Sequence, residues 1–279
     1  MKDTFKPDCH VLSMIQPDPL PGSYRHSTQT LEEIIYRSLK ETEMVRDNGF
    51  DGIILQNMND MPIKQIAAPE AIAYMTRIGY EIRREFPELV IGILMNWDGV
   101  AGLAAADAIG ADFVRVEHLF TGANVTSAGI LQAQCVDIAA LRKRIGSKVP
   151  VYADVYELHG IPLGRKPIED AAWECVHEAF ADGLFLSGKS PEESIEMITK
   201  VRKRLPDTPV MLGGGATGDN IYELLKYYDG ASVATWIKNG NMKNPIDPQR
   251  ARIFMNEAKR AKEYRQAYWQ EQPINAVLP

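Results

Sequence analysis

Eight short apolar or β-branched runs, spaced by 21 to 41 residues from start to start, constrain the fold more than any other feature of this chain. They are HVLSMI at 10–15, DGIILQN at 51–57, VIGILMN at 90–96, DFVRVEH at 112–118, VYADVYE at 151–157, DGLFLSG at 182–188, PVMLGGG at 209–215 and GASVATW at 230–236. A hairpin needs only a few residues between strands, whereas a parallel crossover needs about a dozen or more. The spacing therefore predicts strand–helix–strand units, and the near-continuous apolar content predicts parallel strands covered by helices. Leu31, Ile34, Ile35 and Leu39 recur at helical steps after the first run. Pro69-Glu70 opens the next helix, and Asp98, Ser127, Ser190 and Asp247 are expected to start others. Eight comparable units predict a closed α/β TIM (β/α)8 barrel rather than a doubly wound sheet. The barrel is expected over residues 1–255, with a C-terminal helical extension and tail over 256–279. Residues 1–9 are expected to cover the barrel bottom or to wander. Tyr264, Tyr268 and Trp269 in the extension are expected to pack on the barrel or on a second subunit, the basis for expecting a homo-oligomer.

Composition removes several function classes. Cys9, Cys135 and Cys175 are far apart and form no CxxC pair, which argues against a disulfide framework, a zinc ribbon and an iron–sulfur cluster. That usage fits a reducing compartment, and a cytoplasmic protein is expected. No apolar run is long enough for a membrane span, while peripheral membrane association stays open. With 31 basic and 37 acidic residues the net charge of -6 disfavours duplex nucleic acid but permits a phosphorylated small molecule.

In such a barrel, the loops after the strands gather at the carboxyl face and carry the chemistry. LGGGATGDN at 212–220 places Gly213, Gly214 and Gly215 after the seventh run, and Thr235 and Lys238 follow the eighth. Glycines let the backbone approach an anion, so these residues are expected to hold a phosphate group. The P-loop ending is absent, which argues against a nucleotide-hydrolysing enzyme, and no nicotinamide cofactor is expected. Arg115 and Glu117 share a face of the fourth run, and Asp154 lies on the fifth. Arg115 is expected to orient a substrate, with Asp154 or Glu117 as general acid or base. Asn57, Asn96 and Ser187 are candidate substrate contacts at other strand ends. No metal site is assigned, although Asp154, Glu157 and His159 leave a divalent metal such as Mg2+ or Mn2+ open. TGANVTSAGI at 121–130 is expected to bend over the mouth as a lid.

The ordered set MIQPDPLPGS, DGIILQNMNDMP, ILMNWDGVAGLAAADAIGADFVRVE, VTSAGILQ, YADVYELHG and NPIDPQR resembles the BtpA/SgcQ family across residues 11–255. The resemblance implies a phosphate-binding-type (β/α)8 barrel. Some members are associated with thylakoid membranes and photosystem I biogenesis, others with bacterial sugar utilisation, and no common reaction is implied. The family pattern falls on Pro19 to Ser23, Asn57, Asp60, Asn96, Asp98, Arg115, Asp154, His159, Ser187 and Gly213 to Gly215. Three positions depart from it: Gln16 where a histidine is expected, Glu117 where an asparagine is expected, and Ala234-Thr235 in place of Gly-Ser. Two readings follow. The first is an enzyme acting on a small phosphorylated sugar or nucleoside by acid–base chemistry, as a lyase, isomerase or glycosyl transferase. The alternative is a noncatalytic peripheral membrane-complex assembly or regulatory protein.

Overall fold

The computed structural model describes residues 5, 7–117, 122–156 and 159–271, with side chains to 267. In chain order the elements are β1 (His10–Ile15), α1 (Leu31–Asp47), β2 (Gly52–Gln56), α2 (Pro69–Glu85), β3 (Val90–Leu94), α3 (Gly99–Ile109) and β4 (Phe113–Val116). Then come β5 (Ala123–Thr126), β6 (Gly129–Gln132), α4 (Cys135–Ile145), β7 (Val151–Asp154), β8 (Ile161–Leu163), α5 (Ile168–His177) and β9 (Gly183–Leu186). The chain closes with α6 (Pro191–Arg204), β10 (Val210–Leu212), α7 (Ile221–Leu224), β11 (Gly230–Val233) and α8 (Pro248–Glu271). Eight of the strands, β1-β2-β3-β4-β7-β9-β10-β11, form a closed parallel barrel. Each of the eight apolar runs contains one of them.

Local chemistry sets the helix starts. Thr30 and Glu33 form a reciprocal capping box on α1, Asp98 accepts the Ala101 N–H at the head of α3, and Ser190 caps α6 ahead of Pro191. Ser127 does not start a helix. It lies in the turn of a β5–β6 hairpin, and α4 begins eight residues later at Cys135. The eighth helix runs unbroken across position 255, with Ala258 and Ala261 fully buried, so the first part of the expected extension is the barrel's own last helix. Tyr264 packs on Tyr222 at 6.5 Å, whereas the side chains of Tyr268 and Trp269 lie outside the described residues.

Side chains fill the barrel interior. Phe113, Tyr152 and Phe185 pack edge to face or offset, 5.4 to 6.3 Å apart. Glycine makes the room: a Cβ on Gly92 would sit 2.3 Å from the Phe113 ring, and one on Gly183 would sit 2.2 Å from the Tyr152 ring. Phe5 stacks on Phe113 at 5.0 Å and its carbonyl accepts the Tyr152 hydroxyl at 3.3 Å, so Phe5 covers the bottom.

A fourfold device closes that same end. Asp51, Asp112, Asp182 and Asp229 each stand immediately before an alternate barrel strand and accept the first or second N–H of the preceding one, from Val11, Ile91, Val151 and Val210 at 2.7 to 2.8 Å. Each carboxylate also meets a cation from a surrounding helix: Lys262, Arg83, Arg142 and Arg202 respectively. Strand register and helix docking are thus fixed together at the face remote from the mouth. Among the described residues no helix is long and apolar enough to cross a membrane.

Candidate functional site

At the carboxyl ends of the strands lies a cavity of about 760 Å3, walled by strand ends from β1, β2, β3, β4, β10 and β11. A neighbouring cleft of about 830 Å3 lies against α1 and shares Gln16 and Met242 with it. The converging strand ends make the first of these the candidate site. The short sheet β6-β5-β8 borders the cavity, which is lined by Ser127 from the β5–β6 turn and by His159, two residues before β8. The described part of the segment expected to act as a lid, 122–130, is therefore a hairpin at the cavity's edge. Gln65 fastens β6 to the β2–α2 loop by accepting the Gln132 N–H at 3.0 Å and donating to the Gln132 carbonyl at 2.5 Å.

One wall is organised by a buried ion pair. Arg115 donates through Nε and Nη2 to the two oxygens of Asp154, both at 2.8 Å, and its guanidinium stands 4.3 Å from the Phe185 ring centroid. Both partners are buried, at 7% and 3% exposure, so the bidentate geometry replaces hydration that neither charge has. Gly213 leaves the space for this arrangement. A Cβ there would lie 2.9 Å from Arg115 Nη2, 2.9 Å from Ser187 Oγ and 3.4 Å from Asp154 Oδ1. Arg115 and Glu117 both line the cavity, while Asp154 and Ser187 sit behind that wall. Because Arg115 occupies both Asp154 oxygens, the geometry gives Asp154 the work of aiming the guanidinium.

The opposite wall is a row of amides. Gln16 Nε2 donates to Gln56 Oε1 at 3.3 Å, Gln56 Nε2 to Asn96 Oδ1 at 3.1 Å, and Asn96 Nδ2 to the Asn57 carbonyl at 2.9 Å. These amide assignments follow the hydrogen-bond network. The Asn57 side chain takes no part in this wall. It donates to Asp60 Oδ2 at 3.1 Å and faces a smaller cavity behind the β2–α2 loop. Burial lifts the Asp60 carboxyl above the usual range, and the Leu20 N–H and the Asn57 amide pull it back. Asn57 thus orders the loop, and Gln56, the residue before it, is the β2 contact with the cavity.

The third wall is backbone. Gly214, Gly215 and Thr235 line the cavity, and among the described residues no acceptor is paired with their N–H groups. Gly215 has φ 77°, a left-handed conformation suited to glycine, and nothing lies within 4 Å of the Cβ position there. Thr217 is not part of an open helix start, because its N–H is taken by Asn220 Oδ1 at 2.8 Å and α7 has only four residues. Lys238, expected beside the phosphate loops, is turned away. Thr235–Lys238 is a single 3-10 turn, which carries Lys238 toward α1 and an ion pair with Glu41 at 2.7 Å.

His118 and Glu157 lie outside the described residues, and His159 is exposed. Among the described residues no three His, Cys, Asp or Glu side chains are grouped to hold a metal ion.

The model of the BtpA family matches residues 8–260. The photosystem I biogenesis protein BtpA of Synechocystis sp. is 34% identical over 260 residues, covering 90% of this chain and 88% of that one. Among solved structures, a native KDPGal structure superposes with a TM-score of 0.59 at 14% identity, covering 93% of this chain and 99% of the other. N-(5'-phosphoribosyl)anthranilate isomerase from Pyrococcus furiosus superposes with a TM-score of 0.53 at 18% identity, covering 90% and 98%. At these identities the two structures share the fold with this chain.

Proposed function

The chain belongs to the BtpA family, and from that premise we propose that its barrel is an enzyme acting on a small phosphorylated sugar or nucleoside by acid–base chemistry. The carrying observation is the pairing, across one cavity, of N–H groups at Gly214, Gly215 and Thr235 with the charged pair Arg115 and Glu117. Neutral N–H groups fixed in a loop suit a phosphate, because they stabilise its charge without a mobile counter-ion. The phosphate anchors the substrate, and that binding energy, remote from the reacting bond, holds the rest against Arg115 and Glu117. Arg115, held in one orientation by Asp154, polarises or grips an oxygen of the substrate body. Glu117 gives or takes the proton. Lyase, isomerase and glycosyl-transfer reactions all use these parts.

The test is turnover of a panel of sugar phosphates and nucleoside phosphates by wild-type protein and by Glu117→Gln. Loss of a general acid or base lowers rate by roughly 100-fold or more, so the variant is expected to retain 1% activity at most, in that approximate sense. Equal turnover by both proteins removes the role of Glu117. The name of the Synechocystis relative supports a second reading, a noncatalytic assembly protein. That reading expects stable attachment to a membrane-protein complex that survives Glu117→Gln, together with no turnover of any compound in the panel.

A further inference from the structure

The cavity walls carry information about the remainder of the substrate. Along an extended strand, consecutive side chains point to opposite faces, so Leu94 and Asn96 share the cavity side and residue 97 belongs on the other. Yet the Trp97 ring also lines the cavity, and it is 7% exposed. The cause lies at Asn96, whose φ of 42° is left-handed. Asparagine is among the few residues other than glycine that enter this region, and the turn it makes brings an amide and an indole into one space.

The chemistry around Trp97 is that of a flat ring rather than of a polyol. Met58, Met61 and Met242 line the same cavity, as does Trp236, which is clamped by Arg250 at 4.8 Å and Phe254 at 6.0 Å. Among the described lining residues Glu117 is the one carboxylate. Thioethers and indoles match the face of a planar heterocycle. The amide row supplies what its edge would need. The Gln16 side-chain oxygen is buried without a partner, and its NH2 rests against the Met242 sulfur at 3.4 Å, a weak acceptor that a better one can replace. A spare acceptor and a poorly used donor on one amide form the pair of groups that a nucleobase edge satisfies.

We propose that the ligand is a nucleoside phosphate whose base lies against Trp97 and presents its edge to the Gln16–Gln56 amide row. This deepens the phosphate reading above and rests on it for the placement of the other end. Met242, unbranched and shared with the neighbouring cleft, is the side chain that gives way.

Calorimetric titration tests the proposal with five probes: inorganic phosphate, ribose 5-phosphate, adenosine, adenosine 5'-monophosphate and uridine 5'-monophosphate. At least one monophosphate is expected to bind roughly tenfold tighter than ribose 5-phosphate, the effect of one base stacked on an aromatic ring. Trp97→Leu is expected to abolish that difference while binding ribose 5-phosphate as before, and Trp97→Phe to restore most of it. Equal affinities for ribose 5-phosphate and both monophosphates overturn the base site and leave the phosphate reading intact. That comparison uses wild-type protein, so it stands even if Trp97→Leu does not fold. Adenosine binding without any response to ribose 5-phosphate or inorganic phosphate does the reverse: it keeps the base site and overturns the phosphate reading. A panel in which nothing binds overturns both.

Discussion

Arg115 on β4 and Asp154 on β7 are joined by two parallel hydrogen bonds of 2.8 Å in one wall of the cavity. The pair divides labour at the site, since the cation reaches the cavity and the carboxylate does not. Asp154→Ala removes a bidentate carboxylate from a buried guanidinium, a change that costs about 3–5 kcal/mol of stability. Urea unfolding is expected to show it. Asp154→Asn keeps one acceptor and is expected to unfold at an intermediate concentration. If Asp154 positions Arg115 for the proposed reaction, Asp154→Asn is expected to lower the rate with the shape of the pH profile unchanged, whereas Glu117→Gln is expected to remove a limb of that profile.

The adjacent glycines are expected to separate stability from binding. Gly213→Ala pushes a methyl group to 2.9 Å from Arg115 Nη2 and Ser187 Oγ, so it destabilises by about 1–3 kcal/mol, as overpacking does. Gly214→Ala meets its nearest neighbour at an ordinary 3.6 Å. It is expected to melt within a few degrees of wild type while weakening ribose 5-phosphate binding, because the methyl group crowds the N–H surface. Thermal melts and titrations on the two proteins decide this.

At the other end of the barrel, Asp112→Ala removes the acceptor of the Ile91 N–H and the partner of Arg83. The expected cost is about 1–3 kcal/mol, the price of one unsatisfied buried donor. Ligand affinity is expected to stay at the wild-type value, since the mouth lies at the opposite face. A matching fall in affinity would show that the two faces are coupled.

Burial pushes the thiols of Cys9 and Cys175 above their ordinary range. Both are buried, whereas Cys135 is half-buried, so a thiol reagent is expected to label Cys135 first in the folded protein and Cys175 only on unfolding. The sign of the pH effect follows. The folded state holds these protons more tightly than the unfolded chain does, so their contribution is complete below the ordinary thiol value of 9.0 and is lost as pH rises above it. Unfolding free energy measured from pH 7 to 10 is expected to fall at the alkaline end, and less steeply in Cys175→Ala.

The eight barrel strands were legible because burial on both faces leaves nearly unbroken apolar runs, and the helix starts at Thr30, Asp98 and Ser190 follow from side-chain capping chemistry. The sheet β6-β5-β8 was not. Its strands have three or four residues, carry Asn124 and Pro162 inside and are half exposed, so neither periodicity nor composition marks them. The aspartates before alternate strands stood in plain view in DGIILQN, DFVRVEH and DGLFLSG, and the signal was the same residue at the same place in every second unit. At the site, Arg115, Glu117, Asn96 and the glycines fell on the cavity because strand alternation and the barrel's polarity place them there. Asn57 and Lys238 did not, because a one-turn 3-10 helix follows the first and contains the second, redirecting side chains by amounts that no spacing rule contains.

A crystal structure of the protein saturated with ribose 5-phosphate tests the central claim most directly. Phosphate density is expected within hydrogen-bonding distance of the Gly214, Gly215 and Thr235 N–H groups, with the sugar directed toward Arg115 and Glu117 and the Arg115–Asp154 pair intact. Phosphate density elsewhere on the barrel, or an empty mouth under saturating conditions, would contradict it.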